Sequence, residues 1–289
     1  MTPITNAIPR LRHAQHLLLR LVAGLMLALA AALPLVAAER ERVEDFLAVT
    51  GFDVALDSLA QAAGNAPAML GLDEGSFGAD WDHLAQEVFD TATMRELALE
   101  LLEPTLDDGP LDHAIGFYGG DLGKRLVEAE NRAHMRGNDP ADEAEGEHVL
   151  QQLEREDAER VEILARMNDA IDGSGTSLRA LQEIQIRFML AARDSGVIEL
   201  PMDEGGLRAL MEEQAGELGA VLERSALANA ARTYAEFPDT DLRAYAEALE
   251  EPEMQEVYRL LNAVQFEILA NRFEVLAGRM ADHRPQQDI

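Results

Sequence analysis

Apolar residues recur along most of this chain at the spacing of an α-helix, and almost no segment alternates between apolar and polar residues as a half-buried strand does. Clusters of Gly, Pro, Asp and Asn separate the periodic segments and mark the turns between helices. The sequence therefore predicts an all-α fold, a multi-helix bundle. Whether the bundle consists of two related helical halves is left open by the pattern.

The first predicted half covers residues 39–136. Gly51 interrupts its apolar pattern early, and the run Thr93-Met94-Arg95-Glu96 matches a capping box, in which a hydroxyl and a carboxylate each bind a free backbone amide at a helix start. Further breaks occur at Pro104 and at Gly119-Gly120. These signals predict helices over residues 39–49, 52–63, 80–89, from 93 to Pro104, from 111 to 119, and 121–135.

A long connecting helix is predicted within residues 137–175. The turn-rich residues 136–144 precede it, and Gly173-Ser174-Gly175 ends it, so that it should run without a break to Asp172. Acidic and basic residues follow each other at four-residue spacing on the side that the pattern predicts to face solvent. The predicted ion pairs are Glu156 with Arg160 and Glu162 with Arg166.

The second predicted half covers residues 176–289, with helices at 177–193, 203–234, 241–248 and 252–281. The last helix is apolar on two sides, and such a helix should lie inside a bundle and contact more than one neighbour. Its two apolar stripes are Met254, Val257, Leu261, Val264 and Ile268, and Phe266, Leu269, Phe273, Leu276 and Met280.

One pattern of turns and helices occurs twice, at residues 107–135 and again at 239–281. In each case an Asp-rich turn precedes a short helix, a breaker and a longer helix, with an offset of 131 when Leu111 is aligned with Leu242. Residue identity under this alignment is poor. An internal duplication is therefore one of two open interpretations, and a chance similarity in the order of turns and helices is the other.

The first 38 residues have the layout of a secretory signal peptide. Arg10, Arg12 and Arg20 precede an apolar run, and Val36-Ala37-Ala38 supplies small residues at the expected cleavage positions. We expect cleavage after Ala38, a periplasmic location, and no stable membrane insertion afterwards. The alternative is that residues 17–38 remain as a membrane anchor, because about 20 apolar residues can span a bilayer.

The charge of the chain excludes several classes of partner. The formal net charge is −30, and without the leader 21 basic residues face 54 acidic ones, which gives −33. Such a surface repels nucleic acid and anionic lipid headgroups. Cysteine is absent, so we expect no disulfide, no thiol catalysis and no lipid-acylated N-terminus.

No motif of catalytic or ligand-binding chemistry meets its full requirement. Glu145 and His148 form a Glu-x-x-His pair, but a carboxylate-bridged metal pair needs a second such motif and two further Glu residues. Residues 73–84 lack the acidic twelfth position of a calcium loop, and Tyr118 stands where a phosphate loop needs its first glycine. The sequence therefore predicts no catalytic, cofactor-binding or metal-binding residue.

One short motif remains, Phe117-Tyr118-Gly119-Gly120-Asp121-Leu122-Gly123-Lys124, and it contains the only lysine of the chain. Here the chain resembles an exported bacterial family known as domain of unknown function 2059. The matching residues are Phe117, Tyr118, Gly123 and Lys124, while Gly120 stands where serine is more usual. The resemblance covers residues 93–131 well and 227–277 loosely, and it implies a helical exported domain without a known activity.

The residues of this motif themselves predict a tight corner between two helices. Glycine permits close approach of two backbones or a positive φ, and we expect Phe117 and Tyr118 to pack into the core. For Phe117, Tyr118, Gly120, Gly123 and Lys124 we favour this structural role over a binding role.

The sequence as a whole favours a noncatalytic periplasmic protein that binds an envelope protein or another envelope component. Its binding surface would be an apolar groove between helices, rimmed by acidic residues. The alternative is a chaperone-like envelope stress protein that holds unfolded clients on Met and Leu side chains. An enzyme of unrecognised type is the third hypothesis.

Overall fold

The computed structural model describes residues 39–72, 81–136 and 140–282. The predicted signal peptide, its cleavage site, most of the tested calcium loop and the polar tail after residue 282 lie outside the described residues. The chain divides into two compact units, Met1–Glu44 and Asp45–Ile289. In the first unit, the described residues 39–44 are helical.

The described residues form helices joined by short turns, and no strand occurs among them. The predicted all-α fold is therefore confirmed. None of the described helices is both long enough and apolar enough to cross a membrane. The helices are α1 (residues 39–50), α2 Phe52–Leu59, α3 Ala66–Met69, α4 Trp81–Val88, α5 Thr91–Leu102, α6 Asp108–Tyr118, α7 Asp121–Arg136, α8 Pro140–Glu156, α9 Ala158–Ile171, α10 Thr176–Asp194, α11 Glu204–Thr233, α12 Asp239–Leu249 and α13 Pro252–Asp282, with 3-10 turns at Ala60–Asn65 and Gly173–Gly175.

The last helix, α13, lies at the centre of the second unit. It packs against α10, α6, α5 and α4, and buried side chains occur on more than one of its sides. The ring of Phe273 meets Phe89 at a centroid distance of 5.3 Å and Phe188 of α10 at 5.0 Å. Because each fully buried large apolar side chain contributes about 1.5–3 kcal/mol, this helix supplies much of the core stability. The prediction of a central helix with several neighbours is confirmed.

The repeated pattern of turns seen in the sequence has a counterpart in the helices. Both α6 and α12 have 11 residues, and two residues separate each from the following helix. Leu111 and Tyr118 are buried in α6, and Leu242 and Leu249 are buried at the corresponding positions of α12. The length and buried positions of the first helix thus repeat at the offset of 131, whereas the second helices have 16 and 31 residues. A common origin of the two segments stays a prediction.

The predicted long connecting helix is wrong, because the segment forms two helices, α8 and α9. Asp157 interrupts it with φ −150° and ψ 69°, and its side chain accepts a hydrogen bond from the Arg160 backbone N–H at 3.2 Å. Aspartate is a favoured N-cap because its carboxylate binds the free amides of the first turn. The break lets α8 pack along α11 while α9 also packs against α12.

Both predicted ion pairs of this segment are also wrong. Arg166 binds Glu250, which follows α12, and not Glu162. Arg160 is only 8% exposed, donates to the carbonyl oxygens of Phe237 at 3.0 Å and Tyr234 at 2.7 Å, and forms an ion pair with Asp239. These carbonyls follow the end of α11, where backbone acceptors lack helical partners. The planar guanidinium group of Arg160 therefore fastens the α11–α12 turn to α9.

The predicted capping box at Thr93 is wrong in its position. Helix α5 begins at Thr91, and Asp90 is its N-cap, accepting hydrogen bonds from the Thr93 backbone N–H at 2.9 Å and from the Thr93 hydroxyl at 2.8 Å. The Thr93 hydroxyl thus donates to the N-cap residue Asp90, and Thr93 is not the N-cap itself. Aspartate ranks above threonine as an N-cap residue, which explains the earlier start.

Replacement of Arg160 by Met should destabilise the protein by about 3–5 kcal/mol, because Asp239 and the carbonyl of Phe237 would lose their partner in a largely buried site. The carbonyl of Tyr234 would keep only its hydrogen bond from the Phe237 N–H. Arg166 on the same helix binds Glu250 with side chains that are 45% and 46% exposed. Arg166→Met should therefore cost only about 0–1 kcal/mol. Urea denaturation of both variants measures the difference, and equal losses would contradict the assigned role of Arg160.

Candidate functional site

The corner between α6 and α7 is held by close backbone contact. The N–H of Gly119 donates to Ile115 at 2.9 Å, and the N–H of Gly120 donates to Phe117 at 3.0 Å. A Cβ atom on Gly123 would lie 2.3 Å from the carbonyl oxygen of Phe117 and 2.5 Å from the Cα of Tyr118. Both are backbone atoms that cannot turn aside. Only glycine at position 123 lets α7 start against the end of α6.

The other motif residues have different environments. Tyr118 is 2% exposed and lies in the core, while Phe117 is half-buried and stacks on the ring of Tyr245 with centroids 5.8 Å apart. Lys124 is exposed on α7. The structure therefore brings Phe117, Tyr118 and Gly123 into mutual contact and leaves Lys124 at the surface.

All four tyrosines of the chain converge on one place in the bundle. The hydroxyl oxygens of Tyr118, Tyr245 and Tyr258 form a triangle with sides of 3.1, 3.1 and 2.5 Å. The fourth, Tyr234, packs its ring against that of Tyr245 at 6.1 Å. These side chains come from α6, α12, α13 and the end of α11, so one set of hydroxyls joins four segments that are far apart in the sequence.

The carboxylate of Glu130, on α7, is the acceptor at the end of this network. Its Oε1 accepts hydrogen bonds from the hydroxyls of Tyr234 at 2.6 Å and Tyr245 at 2.9 Å. Since Tyr245 gives its only proton to Glu130, the protons of Tyr118 and Tyr258 serve the three sides of the triangle, and Tyr245 accepts from one or both of them. Each hydroxyl proton of the network is therefore donated in the direction of Glu130. We call Glu130 and the four tyrosines the tyrosine cluster.

Burial shifts the pKa of the ionisable groups in the cluster. It raises the pKa of Glu130 above its ordinary value of 4.5, although the two tyrosine hydrogen bonds act in the opposite direction. It also raises the pKa of Tyr118, Tyr234 and Tyr245 well above 10, and the nearby charge of Glu130 adds to this rise. These phenols consequently stay neutral to a higher pH than an exposed tyrosine does.

A polar cavity of about 590 Å³ adjoins the cluster, with walls formed mainly by α2, α7, α9, α11 and α13. Hydroxyl and carboxamide side chains dominate its polar lining, whereas most bundle interiors are apolar. The polar lining residues are Thr50, Ser58, Gln61, Tyr118, Glu130, Asn131, His134, Asn168, Asn229, Arg232, Thr233, Tyr234, Tyr258, Asn262 and Gln265.

An apolar groove of about 560 Å³ lies along the outer side of α7, between this helix and the end of α1 with α2. Tyr118 and Asn131 line both the groove and the polar cavity. The side chain of Met135, 60% exposed, lies at one end. The remaining lining residues are Ala48, Val49, Val54, Asp57, Gly119, Lys124, Val127, Glu128 and Arg132.

The charges around the apolar groove are of both signs. Arg132 and Glu128 pair with each other at 2.9 Å, one turn apart on α7. Lys124 forms no ion pair with any residue in the described part of the chain. The expectation of a rim of acidic residues alone therefore does not describe this groove, because Lys124 presents an available positive charge on it.

Sequence reasoning missed the tyrosine cluster, although one signal pointed to it. Gly123, Leu126 and Val127 are buried on one face of α7, and Glu130 follows them at helical spacing on the same face. A carboxylate at a core-facing position needs a partner. Within residues 39–72, 81–136 and 140–282, no three His, Asp or Glu side chains are placed to share a metal ion.

Comparison with known proteins bears on part of the chain. Residues 92–152 match the model of a family described as an uncharacterized protein conserved in bacteria (DUF2059). The resemblance predicted from the Phe117–Lys124 motif is confirmed over this segment, which contains the α6–α7 corner and Glu130. The matched segment does not include residues 227–277, where the resemblance was loose. No curated protein and no solved structure matches the chain.

Replacement of Gly123 by Ala should force α7 away from the end of α6, because the new methyl group would collide with the backbone of Phe117 and Tyr118. We expect a loss of about 1–3 kcal/mol or more in the free energy of unfolding, measured by urea denaturation.

Gly116 of α6 is the matched control, since it is exposed and no atom lies within 4 Å of the position its Cβ would take. Gly116→Ala should stabilise the protein by about 0.5–1 kcal/mol, as expected within a helix. A Gly123→Ala variant as stable as the natural protein would contradict the close contact at the corner.

Proposed function

We propose that this protein is a noncatalytic helical protein of the bacterial periplasm that acts by binding an envelope protein. The leader-like pattern of residues 1–38 supports export, and the match of residues 92–152 to a family conserved in bacteria supports a bacterial origin. The absence of cysteine suits a domain that is stabilised by core packing alone.

The apolar groove along α7 is the proposed binding surface. Its walls carry Val49, Val54 and Val127, and the large side chain of Met135 stands exposed at its end. A flexible thioether adapts its shape to different apolar surfaces, which is useful where a partner side chain must be accommodated. Grooves of this kind between helices accept the apolar face of an amphipathic helix.

The charge on the groove identifies the partner segment more closely. Lys124 lies at the groove without an ion-pair partner among the described residues, whereas the neighbouring Arg132 is neutralised by Glu128. A carboxylate on the partner protein would form an ion pair with Lys124. We therefore propose that the partner is an amphipathic helix of an envelope protein, with apolar residues facing the groove and an Asp or Glu facing Lys124.

The single observation that carries this proposal is the position of Lys124. The only lysine of the chain lies in the motif that resembles the family, on the wall of an open apolar groove, and its charge is not used by the described residues. The α6–α7 corner fixes this lysine relative to the groove through the close contact at Gly123.

Photo-crosslinking in intact bacterial cells tests the proposal. A photoreactive amino acid at position 135 should capture one envelope protein, and peptide mapping should place the crosslink in an amphipathic helix that carries an acidic residue. Lys124→Glu should weaken capture of that same protein about tenfold, which corresponds to about 1.4 kcal/mol of lost binding free energy. The captured form should be in the periplasmic fraction and begin at Glu39.

Leu210 and Val221 supply the controls, because both are exposed apolar residues of α11 and neither lines the groove. A crosslinker at position 210 should not capture the partner, and Val221→Glu should leave capture from position 135 unchanged. Equal capture from positions 135 and 210 would overturn the assignment of the groove. Capture of many unrelated proteins from position 135 would also overturn it and would favour the chaperone-like alternative.

A further inference from the structure

We propose that the polar cavity next to the tyrosine cluster binds a neutral polyhydroxylated molecule, of the size and chemistry of a mono- or disaccharide. This site is separate from the apolar groove, although Tyr118 and Asn131 line both. The volume of about 590 Å³ falls within the range of roughly 300–1,000 Å³ that is usual for small-molecule sites.

The side chains of the cavity supply unused hydrogen-bonding groups of a particular kind. Gln61, Asn131, Asn168 and Gln265 make no side-chain hydrogen bond to any other described residue. Each carboxamide offers both donors and an acceptor. A sugar hydroxyl also donates and accepts, so a polyhydroxylated ligand matches a wall of carboxamides better than a ligand with donors only or acceptors only.

The arrangement of charge in the cavity disfavours an anionic ligand. Arg232 is the one arginine of the described lining, and its Nη1 already lies 2.8 Å from the carboxylate of Asp142. The chain as a whole carries a net charge of −30, which repels anions from the protein. A phosphate or carboxylate ligand would therefore find no free positive charge at this site.

A cationic ligand is also less suited to the cavity than a neutral one. Glu130 is the only Asp or Glu of the described lining, and its Oε1 already accepts two hydrogen bonds from tyrosine hydroxyls. Those hydroxyls stabilise the carboxylate in place of a cation. The rest of the polar lining consists of hydroxyl, carboxamide and imidazole groups and of the paired Arg232, so neutral hydrogen bonding dominates.

Two buried polar atoms belong to residues that line the cavity. Arg232 Nε and Thr233 Oγ1 are buried and have no hydrogen-bond partner in the described part of the protein. Both residues line the polar cavity, and also a smaller cavity of about 270 Å³ beside it. An unpaired buried polar group is unfavourable for the folded protein. Neither atom is exposed to solvent, so a ligand in the polar cavity would contact the carboxamides and not these two atoms.

Isothermal titration calorimetry of the mature chain tests the proposal with named probes. The neutral probes are glucose, N-acetylglucosamine, maltose and trehalose, and the charged probes are spermidine and inorganic phosphate. We expect saturable one-to-one binding of at least one neutral probe and weaker binding of both charged probes. Gln265→Leu and Asn168→Leu should each weaken that binding about tenfold.

The matched control is Gln214→Leu, the same substitution at an exposed position of α11 outside the cavity, which should leave binding unchanged. Circular dichroism and thermal melting should show that all three variants remain folded. Met135→Glu should also retain sugar binding, because Met135 lines only the groove, so the outcome is independent of the groove proposal.

Three results would overturn the inference. The first is that none of the neutral probes binds, as expected if the cavity holds only water. The second is that spermidine or phosphate binds more tightly than every neutral probe. The third is that Gln265→Leu and Gln214→Leu weaken binding equally, which would place the sugar elsewhere on the protein.

Discussion

A carboxylate that is moved from water into a helical bundle must receive hydrogen bonds in return, because the desolvation of an unpaired charge costs several kcal/mol. In this protein the carboxylate is that of Glu130, and tyrosine hydroxyls supply the hydrogen bonds. The donors come from α12 and from the end of α11. Glu130 therefore imposes a common arrangement on α6, α7, α12, α13 and the end of α11.

Several features of the structure follow from this constraint. The corner at Gly123 sets α7 against the end of α6, which brings Glu130 near Tyr118. Arg160 fastens the segment after α11 through the carbonyl of Tyr234, so that the Tyr234 hydroxyl can reach Glu130. The polar groups of the cluster cannot be covered by apolar side chains alone, and the polar cavity occupies the space beside them. The proposed ligand site is thus a consequence of how the bundle satisfies one charge.

Most helix boundaries could be predicted from the sequence, whereas the N-caps at Asp90 and Asp157 were missed and the long-range contacts could not be predicted. Helix ends at Gly51 and at Gly119-Gly120 follow from the backbone preferences of a few neighbouring residues. Arg160 shows the limit of such reasoning, since a rule for neighbouring residues paired it with Glu156, yet its partners lie 74 to 79 residues away in the sequence. The tyrosine contacts join residues up to 140 positions apart. Only the place of Glu130 on the buried face of α7 hinted at them.

All four tyrosines belong to one hydrogen-bond network, in which Tyr258 is half-buried and the other three are buried, and a spectrophotometric titration of phenolate tests this claim most directly. The chain contains no other tyrosine, so the whole signal belongs to the cluster. We predict that no phenolate appears as the pH passes 10, the ordinary pKa of tyrosine, while circular dichroism still reports a folded helical protein. Phenolate should appear only together with loss of helicity. Ionisation of one or more tyrosines near pH 10 in the folded protein would contradict the account.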